Sequence, residues 1–273
     1  MDVYGLVGHP VGHSLSPPMQ EAAFDALGID ARYVTFEPTP DDLEAGIRGA
    51  AALGIRGLNV TVPYKRSVLG FVELDPLAER IGAVNTIDFG DDPVGYNTDA
   101  VGAVRAIREV GAELDGTAAV VVGAGGAGRA IAVGLADAGA TVAVANRTKS
   151  RAETLTATIP GATAHGLDEL TDLLADASVL VNATSVGMDA DESVVPKPAL
   201  HEALTVMDAV YSPRRTRLLC DAADCGATTI DGTRMLVHQG AASFERWTGQ
   251  AAPLEAMEET LERAIRRRAD EQG

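Results

Sequence analysis

The sequence predicts an α/β protein of two domains, and three observations carry that prediction. The chain has 273 residues, a length at which two ordinary domains are expected rather than one. Short runs rich in Val and Ile alternate with helix-length segments, the pattern of βαβ units and a largely parallel sheet. Midway, the run AAVVVGAGGAGRA over residues 118–130 places a strand, a glycine-rich turn and a helix start in direct succession, opening a second block.

The elements follow in order. Residues 3–8 read as a strand, followed by a Pro/Ser-rich turn and a helical segment through Ala26. Residues 33–36 form the next strand, and a helix over 41–53 begins beside Pro40, whose fixed φ suits a first helical turn. A strand over 57–62 precedes a helical stretch bearing Lys65. Strands over 84–89 and 94–97 make a hairpin about Gly90-Asp91-Asp92-Pro93. A helix over 99–111 leads into the second block, where 118–122, 141–145, 179–182, 206–210 and 228–230 are strands between helices. After Gly232 the chain is helical to its end, broken over 249–253. No long Pro/Ser linker separates the blocks, so a joining helix and a shared cleft are expected. The expected domains are residues 1–100, completed by C-terminal helices over 238–273, and residues 101–237.

Composition excludes several classes of function. Apolar residues make up 46% and charged residues 22%, which is enough apolar material for real cores and excludes wholesale disorder. The apolar runs are too short to cross a bilayer, and the N-terminus lacks the basic start and apolar stretch of a secretion signal, so a cytoplasmic protein is expected. Two cysteines give neither a disulfide framework nor a closed zinc site. With 22 basic and 39 acidic residues the net charge is −17, a field that repels nucleic acid. Any site for an anionic ligand must therefore be built locally. Only Lys65, Lys149 and Lys197 accompany nineteen arginines. An acid-rich, lysine-poor surface is what solubility in concentrated salt favours, because salt screens the self-repulsion. An acidic protein from an arginine-rich proteome would look similar.

Gly123, Gly125 and Gly128 fit G-x-G-x-x-G between the strand and helix that the motif requires. Glycine there lets the backbone approach a pyrophosphate, and the helix N-terminus stabilises its charge. A tight turn that binds nothing would share the pattern. The strand over 141–145 ends in Asn146-Arg147-Thr148-Lys149-Ser150-Arg151. An acid that would hold a ribose 2′-hydroxyl is replaced here by cations, which suit a 2′-phosphate and hence NADP. The competing reading is a solvated helix start capped by Thr148.

In the first block, Ser14 and Ser16 of His13-Ser14-Leu15-Ser16-Pro17 sit on a turn after a strand, where hydroxyls can face a small polar ligand or cap a helix. His9 and His13 share that loop without the carboxylates a metal site needs, so no metal is expected. Asn59 and Thr61 share a strand face ahead of Lys65. A lysine can exchange a proton where its pKa is tuned, although an isolated one is ordinarily a surface residue. Asn85 and Asp99 lie in polar clusters at strand ends, and Asp99 could equally cap the helix it begins.

Together, SLSP, NVTVPYK, GAVNT, GYNTDAVG, GAGGAGRA, NRT, DAVYSP and GTRMLVHQ resemble the shikimate dehydrogenase family, in the family's order and over nearly the whole chain. The resemblance implies an N-terminal α/β substrate domain plus a Rossmann-type dinucleotide-binding domain, with the cleft between them. It implies an oxidoreductase that reversibly reduces 3-dehydroshikimate to shikimate with NADPH, in the pathway to chorismate and aromatic amino acids. It places the substrate carboxylate on Ser14 and Ser16, assisted by Tyr211. The ring hydroxyls and carbonyl fall to Asn59, Thr61, Asn85, Asp99 and Gln239, and Lys65 and Asp99 form the catalytic pair. The cofactor falls to Gly123, Ala124, Gly125, Gly126, Ala127, Asn146, Arg147, Thr148, Lys149 and Arg151, with Ala209 and Gly232 near the nicotinamide. Where the family often has His-Asn after SLSP, this chain has Gln20-Glu21, which affects the helix behind the site. A homodimer is left open as the assembly. Competing readings are a quinate/shikimate dehydrogenase that also accepts NAD, a methylenetetrahydrofolate dehydrogenase type, and a dinucleotide-binding regulatory module without turnover. The C-terminal arginines read as a solvated helix face.

Overall fold

The computed structural model describes the backbone of residues 1–272 and side chains through Arg268. The chain divides into two compact units, Met1–Thr98 with Val237–Gly273, and Asp99–Leu236.

The first unit contains β1 (Asp2–Val7), α1 (Ser16–Ala26), β2 (Ala31–Phe36), α2 (Leu43–Ala52), β3 (Gly57–Val60), β4 (Glu73–Leu74), α3 (Pro76–Ile81), β5 (Thr86–Phe89) and β6 (Pro93–Tyr96). Its sheet runs β2-β1-β3-β5-β6-β4. β1 is parallel to β2 and β3, whereas β5 runs antiparallel to β3 and forms the expected hairpin with β6. The predicted helix over 41–53 starts as a 3₁₀ turn at Pro40–Asp42 before α2. The predicted helix around Lys65 is absent, and that segment is a turn followed by a 3₁₀ helix at Ser67–Gly70. Two features hold it out of a helix: Tyr64 buries its ring and donates its hydroxyl to the Pro38 carbonyl, and the Lys65 carbonyl accepts from Val84 N at 2.7 Å.

Aromatic residues are scarce at 4% of the chain, and several are concentrated where this unit packs on the helix bearing Phe244 and Trp247. Tyr4 stacks on Phe24 at 5.0 Å and meets Trp247 at 5.1 Å, and Phe24 meets Phe244 at 5.4 Å. Trp247 donates its indole N–H to the Ile87 carbonyl. A Cβ on Gly57 would fall 2.2 Å from Trp247 Nε1, so glycine in β3 is the condition for seating the indole against the sheet.

The second unit contains α4 (Asp99–Glu109), β7 (Ala118–Val122), α5 (Gly126–Asp137), β8 (Thr141–Ala145), α6 (Lys149–Thr156), β9 (Thr163–His165), α7 (Leu170–Ala175), β10 (Val179–Asn182), β11 (Thr205–Asp208), α8 (Arg217–Asp224) and β12 (Thr228–Ile230). Helix α9 (Gly232–Thr248) carries the chain back to the first unit, and α10 (Leu254–Gln272) follows. The second sheet is parallel throughout, in the order β12-β11-β10-β7-β8-β9. The strand order reverses beside β7, and in such sheets ligands bind where the order reverses, at the carboxyl ends of the strands. Val120, Val122, Leu180 and Val206 form a buried layer under Leu170, Leu174, Leu218 and Leu219. This explains the near-continuous apolar runs, since strands covered on both faces need no alternation.

Candidate active site

In the second unit the Gly123–Gly128 turn joins β7 to α5. Gly123 has φ +111°, a backbone state that side chains disfavour. A Cβ on Gly128 would lie 2.1 Å from the Gly123 carbonyl oxygen, while one on Gly125 would meet nothing within 4 Å. The turn is thus tight beneath and open above Gly125, the N-cap of a twelve-residue helix, as a phosphate approaching the first amides requires. Asn146, at the end of β8, accepts from Ala124 N at 3.3 Å and donates to the Thr148 carbonyl at 2.9 Å. One amide therefore joins Ala124 and the adjoining Gly125-Gly126-Ala127 to the segment bearing the cations.

Those cations are not equivalent. Arg147 and Arg151 are exposed, with no ion-pair partner among the described residues. Lys149 pairs with Glu169 at 2.9 Å, and Glu169 also binds His165 Nδ1 at 2.8 Å and the Gly166 amide. Thr148 occupies the N-cap position of α6 without a side-chain capping bond. The donor set fits a dinucleotide with a 2′-phosphate: helix amides for the pyrophosphate, two unengaged guanidinium groups, and no acid at the end of β8.

Elsewhere in this unit, Ala209, Val210 and Tyr211 leave β11, and a Cβ on Gly232 would approach the Val210 carbonyl oxygen to 2.6 Å. Glycine at the start of α9 is what permits that passage. Sequence reasoning missed the group ordering this exit. Asp208 is fully buried and accepts from Asn182 Nδ2, Val210 N and Thr216 Oγ1. Burial raises its carboxyl above the usual range against the pull of those three donors. The DAVYSP motif begins with this residue. Asp99, 4% exposed, is the first residue of α4.

In the first unit the sequence-selected polar residues separate into two environments. Ser14, Thr61, Lys65 and Gln239 are partly exposed, whereas Ser16, Asn59 and Asn85 are buried. Thr61 begins the turn just beyond β3 and donates its amide to the Val7 carbonyl. Asn59 is engaged on both sides of its amide: Oδ1 accepts from Tyr33 Oη at 2.7 Å, and Nδ2 donates to Thr86 Oγ1 and Ser243 Oγ. Asn85 Oδ1 accepts from Thr98 N at 2.7 Å, and its Nδ2 donates to Thr98 Oγ1 at 3.0 Å and reaches Gln239 Oε1 at 3.4 Å. Ser243, with no exposed surface, links Asn59, Thr86 and Thr98 and donates to the Gln239 carbonyl at 3.1 Å. Sequence reasoning also missed Ser243, which lies one helical turn beyond Gln239 and so shares its face. Gln20 and Glu21, where the chain departs from the family pattern, act as tethers. Gln20 Nε2 donates to the Gly240 carbonyl at 2.9 Å, and Glu21 accepts from Tyr33 N.

The Gly166 amide foremost, then His165 and Lys149, hold the Glu169 carboxyl at about 2, below its ordinary 4.5. A depressed folded-state value stabilises the folded form fully above pH 4.5 and loses that contribution as pH falls through about 2. Glu169→Gln is expected to lower the thermal midpoint at neutral pH, with the deficit closing between those two pH values. A deficit independent of pH would contradict the arrangement.

Comparison with known proteins agrees with this geometry. Family models described as shikimate dehydrogenase substrate binding domain, shikimate/quinate 5-dehydrogenase and shikimate 5′-dehydrogenase C-terminal domain match residues 6–87, 105–213 and 232–262. The shikimate dehydrogenase (NADP(+)) of Natronomonas pharaonis is 63% identical over 265 residues, covering 97% of this chain and all of its own. That of Haloarcula marismortui is 62% identical over 258 residues, 94% of this chain and 97% of its own. The structure resembles that of shikimate 5-dehydrogenase from Thermus thermophilus in complex with NADP(H) and shikimate. That match has a TM-score of 0.90 and 38% identity, over 97% of this chain and 100% of the other. The acid-rich, lysine-poor composition agrees with the haloarchaeal origin of the first two relatives. With three family models along its length and such relatives over nearly all of it, the chain belongs to the shikimate dehydrogenase family.

Proposed function

We propose that the chain is an NADP-dependent oxidoreductase that interconverts 3-dehydroshikimate and shikimate. Two observations carry this reading: in the first unit a polar set that joins Asn85 to Gln239, and in the second a cofactor turn whose flanking segment offers unengaged guanidinium groups. The near-full-length match to NADP-dependent relatives supports it. The substrate falls chiefly to residues of the first unit and the cofactor to the second. Ser14 and Ser16, with Tyr211, take the carboxylate, and Thr61, Asn85, Asp99 and Gln239 take the ring oxygens. Asn59 belongs to the same ring-oxygen set and also positions Thr86 and Ser243. Gly123 to Ala127 take the pyrophosphate, Arg147 and Arg151 the 2′-phosphate, and Ala209 and Gly232 flank the nicotinamide.

NADPH, when bound, supplies the hydride. As the ketone becomes an alcohol, charge grows on its oxygen and must meet a donor. Lys65 Nζ is that donor, on a turn pinned through Tyr64 and the Lys65 carbonyl. Asp99 accepts from the neighbouring substrate hydroxyl, so the proton is handled by Lys65 and Asp99 jointly. A cytoplasmic location and a homodimer are compatible with this reading; a sedimentation mass of one 28.2 kDa chain would contradict the dimer.

Purified protein with 3-dehydroshikimate in concentrated KCl is expected to consume NADPH far faster than NADH. Folded protein that binds NADPH but turns over neither would contradict the reaction. Lys65→Ala is expected to lower kcat by about 100-fold or more, the scale of general acid–base groups; near-normal turnover would remove Lys65 from the chemistry. Arg147→Ala is expected to raise the NADPH KM by about tenfold or more while sparing NADH, since it removes a charge-assisted contact. Lys149→Ala, already committed to Glu169, should do less, and an equal effect would contradict that division.

A further inference from the structure

The turn over residues 11–16 carries the two serines, and two residues distant in sequence grip it. Glu37, just past β2, accepts from Val11 N at 2.7 Å and Gly12 N at 3.2 Å through one carboxylate oxygen. Arg268, near the end of α10, donates Nη1 to the His13 carbonyl at 2.8 Å and Nη2 to the Ser14 carbonyl at 3.2 Å. This overturns, for Arg268, the reading of the C-terminal arginines as a solvated face; Arg266, paired with Glu262, fits that reading. Inside the grip, Ser14 N donates to the Val11 carbonyl at 2.9 Å, and Ser14 Oγ accepts from Ser16 N at 3.1 Å.

The chemistry of the two grips is complementary. The carboxylate takes two amides, and the guanidinium takes two carbonyls. With four backbone groups committed, the turn has little freedom to rotate its peptide planes. A serine hydroxyl has one hydrogen and two acceptor sites. Because Ser14 Oγ accepts from Ser16 N, its hydrogen is left to donate outward, and Ser16 begins α1, whose N-terminal end favours negative charge.

We infer that Arg268 and Glu37 are positioning residues that hold the Val11–Ser16 turn in the form that binds the substrate carboxylate. This rests on the proposed role of Ser14 and Ser16 as carboxylate ligands. The action is at contact range rather than through a long-range field. At about 1 M salt the screening length is only about 3 Å, so in concentrated salt a distant cation does little while a geometric clamp persists.

The test is steady-state kinetics in concentrated KCl on Arg268→Ala, Arg268→Lys and Glu37→Gln, with Ser14→Ala as reference and each variant's thermal midpoint measured. Arg268→Ala is expected to raise the shikimate KM by about five- to tenfold, with kcat and the NADP KM within about twofold of wild type, the signature of lost ground-state binding. Arg268→Lys should recover part of the loss, because an ammonium can reach one carbonyl but not both. Glu37→Gln should shift KM in the same direction. With shikimate methyl ester as substrate, the Arg268→Ala effect should largely disappear. A wild-type shikimate KM in both Arg268→Ala and Glu37→Gln, while Ser14→Ala raises it, would overturn the clamp and leave the serine assignment standing. A loss in kcat and NADP KM as large as that in shikimate KM would also overturn it, as general damage. Should Ser14→Ala itself leave the shikimate KM unchanged, the assignment of the turn to the carboxylate fails, and the clamp's role fails with it.

Discussion

The hydroxyl of Ser243 has no access to solvent, and the substrate side of the first unit depends on how it is satisfied. It accepts from Asn59 on β3, meets Thr86 on β5 and Thr98 beyond β6, and donates to the carbonyl of Gln239 one turn back along α9. A buried polar group left without a partner costs about 1–3 kcal/mol, and such groups are linked here, so each depends on the positions of the others. Rotating Asn85 would strand Thr98 N, and shifting α9 would take from Asn59 Nδ2 its 2.9 Å acceptor, Ser243 Oγ. Asn85 and Gln239 are therefore delivered in one arrangement, and Thr98 is held immediately before Asp99.

Scarce cations are used sparingly in a chain of net charge −17. Of its three lysines, Lys149 pairs with Glu169 and Lys197 with Asp224 and Asp221. Both lysines lie at the surface, where such contacts contribute little and concentrated salt weakens them further. Lys65 instead sits on an anchored turn, and Arg268 grips a loop from the far end of the chain. The acidic surface meets the demands of solubility, while a few basic groups do local work at short range.

Much of this was legible beforehand, for identifiable reasons. The strands at Thr141–Ala145, Val179–Asn182 and Thr228–Ile230 were read with their observed bounds, because Val- and Ile-rich runs between turn residues leave little ambiguity. The glycine turn was legible because its spacing has a backbone cause. The helix expected at Lys65 was not found, since the groups that prevent it, Pro38 and Val84, are remote in sequence. The short strand β9 and helices α3, α6, α7 and α8 are too brief for periodicity to single out. Ser243 and Glu37 escaped notice because their partners lie far along the chain and no motif marks them; Asp208 lay inside a motif read for its later residues, and Arg268 was read as solvated because its partners, His13 and Ser14, are at the other end of the chain. Lys149 was grouped with its neighbours on charge alone, and only the fold brings Glu169 to it.

The most direct test of this account is the unfolding of Ser243→Ala, followed through Trp247. This is the only tryptophan in the chain, and it lies one turn beyond Ser243 on the same helix, so its fluorescence reports on the first unit alone. Deleting one oxygen is expected to lower the stability of that unit by about 0.5–1.5 kcal/mol for each buried hydrogen bond lost, and to raise the shikimate KM while leaving the NADP KM unchanged. Wild-type stability together with a wild-type shikimate KM would contradict the claim that this network holds the substrate side in place.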